Sequence, residues 1–483
     1  MSIETVWQDG SCVVIDQCVN SVMQQTFDPL PVGWPIDYAE PAPSEPLEDV
    51  RGAVDYALGH PLSSLAIADL CGIGTRVTVV VAIAGHERAA AASILAPVLL
   101  RQLADAGVCD EDITILIPNA LRAPSTVAEK LHSLGQAIVD RYTIVDHDPT
   151  DLAELNDLGR VQGIPLQMNY RAAEADLLIA VDLVEPHYVA GFSGGDKTVS
   201  MGCVGEATLK EMRAVRFLDD MVIHPAGSQA ADSLAMIVER EVGRRAGLMF
   251  VLNAVVDLEC HIVAVSAGAP NVVRNVLIQF ARSVYEIDVP HNDYNIVITG
   301  NHAGAGNGRA KKDSLYHASR AAIAIGLSPE RVLAKGGVII LPVYCGNSGW
   351  GELDVREQHF YEALLSANDM DTVMQQITQR GVRMGEQRAY MLAHTIQVEG
   401  YHVIVEGADC IDLARDCGLI PAHNMLEAAN LAETIVGKRP RVLMLPRATH
   451  SLCVPINRWH TRDTSSEIAE QDGIYIRSII SDN

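Results

Sequence analysis

Short β-branched apolar runs, separated by Ala/Leu-rich stretches with helical spacing, constrain the fold of this chain more than any other feature. Arg76 to Ala84 reads RVTVVVAIA, apolar on both faces as a strand covered on both sides requires. Ala89 to Ala106 has helical spacing and stops at Gly107, a C-terminal signal. Strands are predicted over Ile113 to Ile117, Thr143 to Val145 and Leu177 to Val184, with a helix over Thr126 to Leu134. A second series follows Pro290, with strands over Asn295 to Thr299, Gly337 to Val343, His402 to Glu406 and Arg441 to Leu445 and a helix over Asp313 to Ile325. This alternation predicts two doubly wound α/β domains with parallel sheets and an active-site cleft between them. The expected division is an irregular segment 1–60 packed on the first domain, domains at 61–285 and 286–456, and a tail at 457–483. Six prolines between Phe27 and Pro46 are the reason to expect an extended N-terminal segment.

Charge narrows the function. With 61 Asp+Glu against 36 Lys+Arg, the chain carries a formal charge of −25. A nucleic-acid binder needs a basic face, so that class is excluded, and an anionic ligand must be drawn in by a few local cations. Hydrophobic residues make up 48% and aromatics 5%, so the core is expected to be aliphatic. The first residues show no basic segment followed by an apolar one, and the longest apolar run falls short of a membrane span. No cysteines are paired as C-x-x-C. The expectation is a cytoplasmic protein with reduced thiols, no membrane association and a small anionic substrate; its oligomeric state stays open.

The strongest local signal follows the strand at 177–184. Glu185-Pro186-His187-Tyr188-Val189-Ala190-Gly191-Phe192-Ser193-Gly194-Gly195-Asp196-Lys197 places three glycines ahead of a lysine. Glycines let successive backbone N–H groups turn towards an anion. Lys197 adds a cation or a nucleophilic amine, and His187 a group that titrates near neutrality. Asp196 stands where a Walker A loop needs glycine, so this is not that motif. A tight turn with a solvated lysine is the alternative. The run Gly304-Ala305-Gly306-Asn307-Gly308-Arg309 matches a dinucleotide fingerprint only weakly and reads as an interdomain loop.

This segment resembles the lactate racemase family of nickel-dependent 2-hydroxyacid racemases and epimerases, whose pattern E-P-H-x-x-A-G-F-S-G-G-x-K is matched at every fixed position. Gly163-Ile164-Pro165, Glu174 to Ile179, Gly202, Gly205 and Thr208 are also similar to family sequence, as is Asp313-Ser314-Leu315-Tyr316-His317-Ala318-Ser319-Arg320-Ala321. The resemblance spans about residues 50 to 456 and marks the chain as a divergent member. It implies a nickel-pincer nucleotide tethered through Lys197 and cradled by Ser193, Gly194 and Gly195. It also implies hydride transfer from the hydroxyacid to that cofactor, with His187 as one of two acid/base histidines. Arg88 and Arg320 stand at the implied substrate-positioning sites; Arg122, at a predicted strand-exit turn, and Tyr316, four residues from Arg320 on one helix face, are further candidates for substrate binding.

Several positions depart from the pattern, including Gly85 and Glu87 in the turn that keeps Arg88, and His317 where the family has glutamine. Leu121 replaces the second acid/base histidine, and His86 is a candidate substitute base. The family's nickel ligand falls at Arg213, whose guanidinium offers no lone pair to a metal but can pair with a phosphate or carboxylate. The metal ligands are therefore unknown, with Cys203 and His86 as candidates. Arg320 stands in for a lysine. The leading expectation is a 2-hydroxyacid racemase or epimerase with a rearranged acid/base set. The alternatives are a nickel-independent lyase, isomerase or hydrolase acting on a small carboxylate, and a non-catalytic anion-binding homologue.

Overall fold

The computed structural model describes residues 5–8, 11–14, 34–72, 77–83, 89–187, 191–223, 234–299, 314–328, 330–343, 353–407, 409–456 and 474–475. They form two compact units, one from 41–286 with 474–475 and the other from 5–14 and 34–40 with 287–456, in each case the described residues of those ranges. The expectation for 1–60 changes at once. Strand β1 (Ile36–Tyr38) joins the edge of the second unit's sheet, and helix α1 (Val50–Gly59) is regular. Asp49 caps α1 by accepting from Gly52 N–H at 2.9 Å, and Ala53, Val54, Ala57 and Leu58 are its buried face.

The first unit continues through β2 (Val79–Ile83), α2 (Ala89–Asp105), β3 (Ile113–Ile117), β4 (Thr143–Asp146) and β5 (Leu177–Leu183). After β5 come α3 (Lys197–Ser200), α4 (Glu206–Met212), α5 (Leu234–Arg245), β6 (Leu248–Val256), β7 (Ile262–Gly268) and α6 (Pro270–Tyr285). The sheet order is β7-β6-β5-β2-β3-β4. β6, β5, β2, β3 and β4 run parallel, whereas β7 is antiparallel to β6. Ile474–Tyr475, in the segment expected to be a plain tail, adds an antiparallel strand beside β7.

One face of this sheet is aliphatic. Val79, Val81, Ile83, Ile179 and Val181 pack in one core with Ala53 of α1 and Leu95, Leu99 and Leu103 of α2. Each valine, isoleucine or leucine side chain among them contributes about 1.5–3 kcal/mol relative to exposure. On the alternate positions of β5 and β6 sit Asp182 and Asn253, only 4% and 0% exposed. Strand order reverses between β2 and β5, so their carboxyl ends flank a topological switch point, where ligands of open α/β sheets gather.

The second unit is β8 (Tyr294–Thr299), α7 (Leu315–Gly326), β9 (Leu333–Pro342), α8 (Glu386–Gln397), β10 (His402–Glu406), β11 (Ile420–Ala422) and β12 (Val442–Leu445). Its sheet, β11-β10-β9-β8-β12-β1, is parallel throughout. The predicted α/β class is therefore the observed one. Among the described residues no helix is long and apolar enough to cross a membrane. Cys71, Cys109, Cys203, Cys260, Cys417 and Cys453 are free thiols, but Cys410 is disulfide-bonded, which corrects the expectation of reduced cysteines there.

Candidate active site at the strand exits

The chain leaves β5 through Val184 and Glu185 into a two-residue antiparallel ladder in which Pro186 faces Phe192 and His187 faces Gly191. His187 is half-buried at this ladder. Two glycines then let the chain reach α3. Gly194 and Gly195 have φ of +81° and +61°, and an added Cβ would lie 2.7 Å from Val184 Cγ2 or Arg274 Cδ respectively. Any larger residue would be strained and crowded at once.

Hydrogen bonds from the sheet hold this turn. Ser193 Oγ donates to Leu183 O at 2.7 Å and accepts from Glu185 N–H at 3.1 Å. Gly195 N–H donates to Asn253 Oδ1 at 2.9 Å, and Thr198 Oγ1 donates to Asp182 Oδ2 at 2.7 Å. From α6, Arg274 Nη2 donates to Phe192 O at 2.8 Å. A buried bond contributes about 1 kcal/mol net, and stranding one partner costs about 1–3 kcal/mol. Ser193 is fully buried and the Gly195 N–H is engaged, so these two groups shape the loop instead of lining an open anion nest.

Lys197 opens α3 with its Nζ buried. The pocket it enters is lined by Asp196, Glu239, Arg240, Asn271, Arg274 and Asn275. Glu239 on α5 and Arg274 on α6 are 5% and 6% exposed. Burial pushes the Glu239 carboxyl up, against the pull of Lys197 and Arg274. Asp196 is pushed up to about 7 by burial and by its like-charged neighbour Glu239, with Arg274 and Arg240 opposing. Burial lowers Arg274 from its usual range, while Glu239 and Asp196 raise it.

The neighbouring exits are tied to this loop. Arg122 lies half-buried in the turn after β3. In that turn Ala120 takes a φ of +52° and its N–H donates to Gly202 O at 3.1 Å. A Cβ on Gly202 would meet Pro118 Cβ at 2.3 Å. His147, after β4, bonds Val204 O through Nε2 at 2.9 Å and is 1% exposed; burial lowers its pKa. Arg213 caps the end of α4, its N–H donating to Leu209 O at 3.1 Å. Cys203 is fully buried and its thiol is pushed up to about 12 by burial.

Structure thus brings His187, Ser193, Gly194, Gly195 and Lys197 into one pinned loop, with Arg122 on a turn docked beside its continuation. His86, Arg88 and the run 304–309 lie outside the described residues. Tyr316 and Arg320 lie on α7 in the other unit. Tyr316 is 1% exposed, with the Arg388 guanidinium 3.9 Å from its ring centroid and Phe360 against its edge at 5.3 Å. Arg320 is half-buried one turn further on. Asp182, Asn253, Glu239 and Arg274 went unread in the sequence. For Asp182 and Asn253 the available signal was a polar residue inside an apolar strand, as in LLIAVDL and LMFVLNAVV; Glu239 and Arg274, on helices, had no such signal.

Comparison with known proteins agrees with this architecture. Residues 26–221 match the lactate racemase N-terminal domain. Lactate racemase of Thermoanaerobacterium thermosaccharolyticum is 25% identical over 399 residues, covering 81% of this chain and 88% of that protein. Lactate racemase of Lactiplantibacillus plantarum is 26% identical over the same shares. The lactate racemase apoprotein structure from T. thermosaccharolyticum superposes with a TM-score of 0.76 at 22% identity, covering 94% of this chain and 99% of that one. A Thermotoga maritima protein follows at 0.61 and 15% identity, covering 80% and 96%. Residues 26–221 thus match a lactate racemase N-terminal domain, and over most of its length the chain is similar to lactate racemases.

Proposed function

We propose that this protein is an isomerase of the lactate racemase type, racemising or epimerising a small 2-hydroxyacid. The observation that carries this reading is the pinned loop from His187 to Lys197 at the switch point of the first sheet. His187 moves the proton of the substrate hydroxyl, a task suited to imidazole. Arg122 pairs with the carboxylate through its guanidinium fork, and Lys197 is the residue that would tether the cofactor.

The family is nickel-pincer dependent, and this chain meets that cofactor in one respect and not in another. Lys197 is present where the tethering lysine is implied. The implied nickel ligand is Arg213, a cation without an available lone pair. Among the described residues no group of three His, Cys, Asp or Glu side chains could hold a metal ion, and Cys203 is a buried protonated thiol. The residues do not fit nickel ligated in the implied way. Arg213 and Leu121 therefore favour a second reading, a nickel-independent lyase, isomerase or hydrolase acting on a small carboxylate.

One set of measurements separates these readings: intact mass, nickel analysis and chiral chromatography of 2-hydroxyacids, on protein made in a cofactor-producing host. The first reading expects interconversion of enantiomers and a fall of about 10²-fold or more in His187→Ala. Absence of any interconversion sinks it. Turnover of a small carboxylate that survives chelation, with the bare-chain mass, supports the second. Thermal stabilisation by hydroxyacids without turnover leaves an anion-binding protein.

A further inference from the structure

Beneath the loop, two polar residues stand side by side among the apolar residues of the sheet. Asp182 of β5 and Asn253 of β6 are register partners on adjacent parallel strands, and both are buried. We infer that this pair positions Lys197, gripping the chain on either side of it and setting where its amine leaves the loop. The inference rests on reading Lys197 as the functional lysine of the site.

Geometry carries the argument. Asn253 Oδ1 accepts from the N–H of Gly195, just before the lysine, at 2.9 Å. Asp182 Oδ2 accepts from the hydroxyl of Thr198, the residue after it, at 2.7 Å. Each acceptor is itself fixed. Asn253 Nδ2 donates to Asp182 O at 3.3 Å and to Leu252 O at 3.1 Å, so the amide turns its oxygen to the loop. Asp182 Oδ1 accepts from Leu183 N–H at 2.8 Å, which leaves the other oxygen aimed at Thr198. The bonds from Ser193 Oγ and to Phe192 O act further upstream, before Gly194.

Helix α3 does not set this position by itself. It is four residues long, and no side chain caps its start. One isolated turn fixes its dihedrals for very little internal hydrogen bonding, so it takes its place from tertiary bonds. Polar side chains inside a sheet are costly unless they are paired, and apolar ones would serve the strands better. Asp182 and Asn253 each direct an oxygen to the loop, which accounts for polar residues at these two positions.

The experiment is NMR of the full chain grown on lysine labelled with carbon-13 at Cε, with the Lys197 signal assigned by Lys197→Arg. A positioned, buried amine gives a signal displaced from that of exposed Lys210. Thr198→Val keeps the shape and removes the donor, so the Lys197 signal collapses onto the Lys210 position; Thr198→Ser, which keeps the hydroxyl, retains the displaced signal. Asn253→Ser withdraws the acceptor from Gly195 and moves the signal part of the way; no movement overturns the role of Asn253. Thr208→Val is the control. Its hydroxyl is fully buried and donates to Pro165 O at 2.8 Å, so its loss lowers the melting temperature and leaves the Lys197 signal in place. Should Thr198→Val not fold because a carboxylate oxygen is stranded, Thr198→Val combined with Asp182→Asn removes the charge and is read in its place. A signal in the folded variant that overlies the unsubstituted one overturns the inference, as does an unsubstituted signal already at the Lys210 position. Failure of the isomerase reading shows in the turnover and mass measurements of the unsubstituted protein, whereas failure of this inference shows only in the lysine signal.

Discussion

Each unit buries a glutamate, and the two are treated in opposite ways. Glu386 begins α8 at 0% exposure and is ringed by local partners. Arg383 donates to it through Nε and through its backbone N–H, both at 2.8 Å, and Arg380 donates through both terminal nitrogens. Burial pushes Glu386 up, but these bonds outweigh it and hold the carboxyl below its ordinary value. Glu239 faces Lys197 and Arg274 from other elements, and burial wins. A satisfied buried acid secures a helix start. A buried acid left high in proton affinity takes its partners from other elements, the pattern expected beside the proposed site. Burial alone does not distinguish the two; the source and completeness of the partners do.

The sharpest way to break this comparison is at Glu386. Glu386→Ala strands two arginines and removes a helix-start acceptor, so chemical denaturation should show a loss of about 3 kcal/mol. Turnover per folded molecule should be retained. A loss below about 1 kcal/mol would mean that the ring of arginines is ordinary surface pairing.

Next in size is Gly195→Ala. The φ of +61° and the 2.7 Å approach to Arg274 predict about 1–3 kcal/mol of destabilisation with displacement of Lys197. Here, unlike at Glu386, turnover should fall more than stability. A variant with normal turnover would show that the loop tolerates a shift.

The smallest effects are in pH, and their signs differ. Asp196, pushed up to about 7, keeps its proton in the folded chain where the unfolded chain has released it. Its contribution is full below an ordinary aspartate pKa of about 4 and is lost as pH rises towards 7. His147, lowered by burial, works the other way: its contribution is present above about 6.5 and is lost as pH falls. Melting curves of Asp196→Asn and His147→Gln should each flatten one limb of the stability profile. A single variant flattening both limbs would place the two groups in one network.

Much of this was legible in the sequence, for identifiable reasons. RVTVVVAIA and LLIAVDLV gave away central strands because both faces are covered, and observed β2 and β5 fall within one to three residues of those runs. The loop was legible because its glycines, histidine and lysine are contiguous. Its supports were not, because each acts across distance: Asn253 reaches Gly195 over 58 residues and Arg274 reaches Phe192 over 82. Tyr316 and Arg320 read as a pair on one helix face, yet Arg388, 72 residues on, covers the tyrosine ring and bonds Tyr316 O at 3.0 Å. Spacing predicts neighbours along an element and is silent about what packs across it.

Gly202 carries a mechanical consequence. Because it has no side chain, the turn bearing Arg122 seats directly against the backbone that continues from α3, through the bond from Ala120 N–H to Gly202 O. The turn after β3 and the segment that continues from the Lys197 helix are thereby joined. If Arg122 holds the acid as proposed, a change that shifts its turn to admit a bulkier acid is expected to disturb the placement of Lys197 as well.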